Sequence, residues 1–105
     1  MSDMKYLDNS SYKDFIASGM VVIDFYADWC GPCKVFAPVF EEAVADYDGR
    51  VKFAKVNVDE NREIAIENKI MGIPTMIFFK DGQIADRVSG VLNKGALYSK
   101  IDSLL

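Results

Sequence analysis

The chain's two cysteines, Cys30 and Cys33, stand close together in the segment DWCGPCK, and they are the residues best suited to chemistry. The pair is badly placed for a structural disulfide. Closing a four-residue loop would stabilise the fold by roughly 2 kcal/mol, against about 3.5 kcal/mol for a loop of about twenty-five residues. A closed zinc site needs four cysteine or histidine ligands, and this chain has two cysteines and no histidine. The spacing favours a dithiol that opens and closes, with a metal site shared between chains as the alternative.

Length and composition place this pair in a small globular protein. The chain has 105 residues, half of them hydrophobic and 27% charged, which predicts one domain spanning residues 1–105. A net charge of −4 without a cluster of Lys or Arg argues against nucleic acid as a partner. The apolar runs have the length of strands, so we expect no membrane span, and the N-terminus lacks a signal-peptide pattern. We therefore expect a reducing cytoplasm as the compartment.

Hydrophobic patterning supplies the elements that must position the cysteines. Four segments read as strands: 20–26, 51–58, 75–80 and 83–89, the last two joined by the turn residues Asp81 and Gly82. Four segments read as helices: one capped by Asn9 or Ser10 and ending near Ser18, then 32–47, 61–68 and a last one capped by Asn93. This order predicts an α/β fold, a mixed sheet with helices on both faces.

In this arrangement the dithiol lies where a central strand ends and a helix begins. Ligands and chemistry in open α/β sheets collect beyond the carboxyl ends of the strands. The pattern therefore places the cysteines at the position where a site is expected.

The same residues resemble the thioredoxin family. The resemblance lies in the segment from Asp24 to Lys34, DFYADWCGPCK, in Pro38 of the following helix, in the segment Gly72 to Thr75, GIPT, and in Gly90. It extends over the whole chain. It implies the thioredoxin fold, with a central mixed sheet of about five strands flanked by four helices, and it implies reduction of protein disulfides.

The resemblance also implies partners and cofactors. We expect no bound cofactor, a redox-active disulfide between Cys30 and Cys33, and a monomer. We expect the partners to be oxidised client proteins and a thioredoxin reductase, a flavoprotein that uses NADPH or an enzyme linked to ferredoxin. A binding subunit with weak redox duty, and an oxidase or isomerase, are the alternative functions.

The two cysteines are expected to have different roles. The start of a helix favours negative charge, so we expect Cys30 to have a lowered pKa and to be the nucleophile. Cys33, one turn further into the helix, is expected to be more buried and to resolve the mixed disulfide.

Gly31 and Pro32, between the cysteines, are expected to tune the direction of the reaction. Pro32 has no N–H to donate towards the Cys30 sulfur and carries no positive charge, so the disulfide form stays relatively favoured. The chain is therefore expected to be a reductant, and a shift of about 30 mV corresponds to about 1.4 kcal/mol.

Asp24 is the candidate proton acceptor, because the chain lacks histidine and Asp24 stands among apolar residues of a central strand. Burial raises the pKa of a carboxyl group, which suits proton transfer near neutral pH. A solvated aspartate at a strand end is the alternative interpretation. Lys55 interrupts an apolar stretch of the next strand and is the possible charge partner of Asp24.

By resemblance, Pro74 is a cis-proline that lies against the dithiol and presents the backbone of Ile73 to an extended client segment. The resemblance adds an apolar substrate-binding rim around the site, formed with Trp29, Gly31, Gly90 and Val91. For Gly90 and Val91, a plain strand end is an equally good interpretation.

Two departures from the family pattern stand out. Tyr26 occupies a place where many members carry a second tryptophan, and Ser89 stands where an apolar residue is more familiar. The methionines are interpreted as core residues or as the chain start.

Overall fold

The computed structural model describes residues 4–105, and this part of the chain forms a mixed five-stranded sheet with four helices. The strands are β1 (Lys5–Tyr6), β2 (Met20–Tyr26), β3 (Lys52–Asn57), β4 (Thr75–Lys80) and β5 (Gln83–Ser89). The helices are α1 (Tyr12–Ile16), α2 (Gly31–Asp46), α3 (Arg62–Glu67) and α4 (Lys94–Leu104). The strand order is β1-β3-β2-β4-β5, which confirms the predicted α/β class.

Strand β2 is the centre of the sheet. It pairs in parallel with β3 and antiparallel with β4, and its first six residues are buried. A strand covered on both faces has a nearly continuous apolar sequence, which is why residues 20–26 were readable as a central strand. The pairing sets Asp24 opposite Lys55 on β3 and opposite Met76 on β4.

Each face of the sheet carries its own hydrophobic cluster. One cluster joins the sheet to α2 and α4 through residues that include Val22, Phe36, Phe40, Leu97 and Ile101. The other cluster lies on the opposite face, where Val21, Ile23 and Phe25 meet residues that include Leu7, Tyr12 and Ile64. Side chains of a strand alternate between faces, so Asp24 lies on the face that α2 covers.

The hairpin between β4 and β5 has the predicted turn. Both turn residues have positive φ, 49° at Asp81 and 84° at Gly82, the conformation that Asp-Gly sequences favour in two-residue hairpins. β5 is an edge strand, and most of its residues are exposed. The hairpin returns the chain to the end of the sheet that holds the cysteines, because Ser89 pairs with Thr75.

The first helix differs from its prediction at both ends, since α1 covers only Tyr12–Ile16. Neither Asn9 nor Ser10 caps it. The Oδ1 atom of Asp8 accepts hydrogen bonds from the backbone N–H groups of Ser10 and Ser11, while Asn9 Oδ1 accepts one from the backbone N–H of Ile64. A long-range contact to α3 thus uses the side chain that local sequence had assigned to a cap.

The remaining predicted elements agree with the structure within about two residues at each end, and the predicted starts of β4, β5 and α4 agree in full. β1 was missed by the strand pattern because two residues, Lys5 and Tyr6, are too few to show alternation. None of the helices within residues 4–105 is long and apolar enough to cross a bilayer.

The cap of α4 gives a test of the fold. Asn93 Oδ1 accepts a hydrogen bond from the backbone N–H of Ala96 at 2.8 Å, so Asn93→Ala should lower the free energy of unfolding by about 1 kcal/mol. Urea denaturation of the disulfide form measures the change. Asn93→Asp is the matched control, because its carboxylate keeps the acceptor; an equal loss in both variants would contradict a capping role.

Candidate active site

The two cysteines lie at the N-terminus of α2, where they are joined by a disulfide. Cys30 is the N-cap residue, and its Sγ atom accepts a hydrogen bond from the backbone N–H of Cys33 at 3.2 Å. Cys33 lies in the first turn, with its Cα 5.2 Å from that of Cys30. The arrangement directs a backbone donor and the positive end of the helix dipole at the Cys30 sulfur.

The local sequence explains why the helix begins at this point. Cys30 has extended backbone angles, with φ −84° and ψ 109°, as an N-cap residue requires. Pro32 occupies the first turn, where its missing N–H would have had no intrahelical partner. Gly31 and Pro32 are both exposed, so the first residues of the helix, between the cysteines, face solvent.

The expectation that Cys33 is more buried than Cys30 is wrong for the disulfide form. The exposed fractions are 3% for Cys30 and 4% for Cys33. Both sulfurs belong to one small cluster with Ala27, against which Tyr26, Val58 and Ile73 pack. Ile73, which comes from a loop distant in sequence from the helix, covers the cysteines, and this cover explains the burial of Cys30.

Asp24 is fully buried, as its apolar neighbours predicted. Within residues 4–105, neither of its carboxylate oxygens has a hydrogen-bond partner. Burial therefore raises the pKa of Asp24 from 3.8 to about 7, and the positive charge of Lys55 partly opposes this shift. A carboxyl group in this state changes protonation near neutral pH.

Lys55 is 8% exposed and lies opposite Asp24 on β3, with its Nζ atom 3.9 Å from Asp24 Oδ2. This distance is too long for a hydrogen bond but short enough for a direct attraction between charges. The structure thus places the predicted charge partner beside Asp24.

The segment before β4 covers the disulfide. The peptide bond between Ile73 and Pro74 is cis, and the Ile73 carbonyl oxygen lies 3.7 Å from Cys30 Sγ. Pro74 is buried, while Ile73 is half-buried. Thr75 Oγ1 donates a hydrogen bond to the Gly72 carbonyl, which fastens this segment to the start of β4.

The end of β5 is tied to the same segment. The backbone N–H of Gly90 donates to the Pro74 carbonyl at 2.8 Å, and the hydroxyls of Ser89 and Thr75 lie within hydrogen-bond distance at 3.2 Å. Gly90 has φ +96°, so a side chain at this position would strain the backbone. Val91, next in the chain, is exposed.

Trp29 is 70% exposed beside the cysteines, and its indole N–H donates to Asp59 Oδ2 at 2.7 Å. The backbone N–H of Asp59 in turn donates to Asn57 Oδ1, so the turn after β3 holds the indole ring. The sequence interpretation did not include Asp59. Its position just after a central strand was the available signal, because such ends meet at the edge where sites form.

Comparison of the sequence with those of known proteins identifies the family of the chain. The sequence profile described as Thioredoxin matches residues 3–103. The chain is 46% identical to the thioredoxin of Staphylococcus saprophyticus, 45% to that of Staphylococcus epidermidis and 44% to that of Staphylococcus aureus, in each case over 105 residues that cover 100% of both chains. The chain belongs to the thioredoxin family. Its paired cysteines and the family together make it a thiol–disulfide oxidoreductase.

One methionine contradicts its sequence interpretation as a core residue. Met71 is 95% exposed, in the loop that precedes Ile73, whereas Met20 and Met76 are buried as expected. In the part of the chain that the structure describes, no group of three or more histidine, cysteine or acidic side chains is placed to hold a metal ion.

The buried Asp24 carboxyl group predicts that the stability of the fold depends on pH. The folded chain keeps a proton on Asp24 up to a pH of about 7, whereas the unfolded chain releases it near 3.8. The folded state therefore binds more protons between these values, so the free energy of unfolding falls as pH rises through this window. The total loss is at most about 4 kcal/mol. Asp24→Asn should remove this slope and be the more stable protein at pH 8.

Urea denaturation of the disulfide form at a series of pH values measures the slope. Asp48→Asn, a change of an exposed carboxyl group, is the control and should keep the slope of the parent chain. A slope that survives in Asp24→Asn would contradict the assignment to Asp24.

Proposed function

We propose that this chain reduces disulfide bonds in client proteins, with Cys30 as the nucleophile and Cys33 as the resolving thiol. The observation that carries the proposal is the N-terminus of α2, where the Cys33 backbone N–H donates to the Cys30 sulfur. A donor and a helix dipole at this point favour the thiolate, which is the attacking species in thiol–disulfide exchange.

The reaction follows from two exchange steps. In the first, the Cys30 thiolate attacks one sulfur of a client disulfide, the client S–S bond breaks, and one client thiolate leaves. In the second, Cys33 loses its proton and attacks the Cys30 sulfur. The mixed disulfide breaks, the client is released in its dithiol form, and the Cys30–Cys33 disulfide of the structure is formed.

Asp24 is the proton acceptor for Cys33 in this proposal. Its pKa of about 7 allows it to take up a proton and to release it again near neutral pH. Its position supports the role, since Asp24 shares a sheet face with Tyr26, which packs against the cysteine cluster. Lys55 is the charge that keeps the carboxylate form accessible.

The residues between the cysteines favour reduction over oxidation. Pro32 has no N–H to stabilise the Cys30 thiolate further, so the thiolate form is favoured less and the chain gives up its electrons more readily. Gly31 leaves the start of the helix exposed and without a side chain beside the cysteines.

Clients bind at the rim that surrounds the disulfide, formed by Trp29, Gly31, Ile73, Pro74, Gly90 and Val91. The exposed apolar surface of Trp29 and Val91 supports this role. The backbone of Ile73, held by the cis bond to Pro74, lies beside the Cys30 sulfur, where an extended client segment can pair with it. A small apolar rim with backbone contacts accepts clients of many sequences.

The partners in this proposal are oxidised client proteins and a thioredoxin reductase, which returns two electrons to the disulfide. The chain acts as a monomer in the cytoplasm. Its cysteine content supports a reducing compartment, because both cysteines belong to the exchange pair and neither is left for a structural disulfide.

Trapping of the mixed disulfide tests the roles of the two cysteines. Cys33→Ser should accumulate covalent adducts with an oxidised client such as insulin, because the resolving thiol is absent. Non-reducing electrophoresis and mass spectrometry of the adduct locate the bond at Cys30. Cys30→Ser is the control and should form no adduct; adducts through Cys33 in that variant would reverse the assignment.

The rim is tested by a change that spares the cysteines. Trp29→Ala should raise the KM for reduction of a protein disulfide about tenfold, because an exposed aromatic anchor is lost. Reduction of a small aromatic disulfide should change much less. Ile84→Ala is the matched control, since Ile84 is also exposed but lies at the end of β5 that is distant from the cysteines. Equal effects on both substrates would count against a binding role for Trp29.

A further inference from the structure

The ammonium group of Lys55 lies close to two partners that attract it. Its Nζ atom is 3.9 Å from Asp24 Oδ2 and 4.5 Å from the centre of the Tyr26 ring. A cation over an aromatic face is attracted by the negative charge density of the ring. We propose that Tyr26 is a positioning residue for proton transfer, whose ring holds the Lys55 ammonium beside the Asp24 carboxyl group.

The contact between Asp24 and Lys55 is too loose to fix the ammonium by itself. At 3.9 Å it exceeds the range of a hydrogen bond, and lysine carries its charge on a flexible four-carbon stem. An ammonium group gains hydration free energy by turning towards water, unless a second contact opposes that motion. The ring of Tyr26 provides this second contact.

The ring of Tyr26 is itself held in place. Tyr26 is the last residue of β2, is half-buried, and packs against the cluster of Ala27, Cys30 and Cys33. The ring of Tyr6 meets it edge to face, with the ring centres 6.4 Å apart. The ring therefore touches both the lysine and the cysteine cluster.

Burial and the nearby charges leave the Tyr26 ring neutral at the pH of the reaction. Burial raises the pKa of Tyr26, and the nearby Tyr6, Asp28 and Glu60 act in the same direction. Asp28 and Glu60 are exposed and thus screened by solvent, while Lys55 is the charge that acts on Asp24. The ring thus presents a neutral aromatic face to the ammonium.

This inference rests on the proposed role of Asp24 as the proton acceptor. Without the aromatic face, Lys55 would turn away and the carboxylate would lose its positive neighbour. Asp24 would then hold its proton to a higher pH, and less of it would be ready to accept the proton of Cys33 at a given pH.

The titration of Asp24 is the direct measurement. The carbon-13 chemical shift of its carboxyl carbon in the disulfide form reports the midpoint without interference from ionising thiols. Tyr26→Leu should move the midpoint upward by about 0.5 to 1 pH unit, because the Asp24 carboxylate loses part of its attraction to the displaced Lys55 ammonium. Tyr26→Phe keeps the aromatic face and should leave the midpoint where it is.

A double-mutant cycle with Lys55→Met separates positioning from packing. Lys55→Met should raise the midpoint at least as far as Tyr26→Leu does, and adding Tyr26→Leu to it should raise the midpoint no further. A packing effect of Tyr26 would raise the midpoint equally with and without the lysine. That result, or an unchanged midpoint in Tyr26→Leu, would overturn the inference.

Two further measurements complete the test. Tyr26→Trp, with a more strongly attracting ring, should keep or lower the midpoint, and a higher midpoint would overturn the inference even if Tyr26→Leu does not fold. The pH profile of disulfide reduction should shift upward in Tyr26→Leu and not in Tyr26→Phe. If Asp24→Asn leaves that profile unchanged, the proton-acceptor role fails instead, while the titrations still decide whether Tyr26 holds Lys55.

Discussion

The desolvation of the Asp24 carboxyl group is the constraint on which the rest of the site depends. Burial without a hydrogen-bond donor on either oxygen, among the residues described, is costly for a carboxylate and tolerable for a carboxylic acid. The group consequently exists near the balance between the two forms, with Lys55 shifting that balance towards the charged one. Stability and chemistry are thus linked, because the burial that suits the carboxyl group to proton transfer also weakens the fold.

The features of the fold that local sequence determines were predictable. The β-branched run of β2, the Asp-Gly hairpin turn and the Asn93 cap each depend on a few neighbouring residues. Asn9 was misread because its side chain reaches α3. A contact between segments so distant in the chain leaves no local pattern, whereas β1 gave no strand signal because its two residues are too few to alternate.

The candidate site divides in a similar way. The cysteine spacing and the apolar surroundings of Asp24 are written in consecutive residues, so both were readable before the structure was known. The near-equal burial of the two cysteines was not, because Ile73 arrives from the loop before β4. The contact of Asp59 with Trp29 was not predicted for a related reason, because it joins two segments that are thirty residues apart in the chain.

The strand order has a consequence for the growing polypeptide. β2 lies between β3 and β4, and the carbonyl that covers Cys30 belongs to the segment leading into β4. On the ribosome, both cysteines are therefore made long before the backbone that shields their sulfurs. During that interval the nascent chain lacks the Ile73 carbonyl beside Cys30 Sγ, so the cysteine pair is more open to any disulfide it meets than in the folded protein.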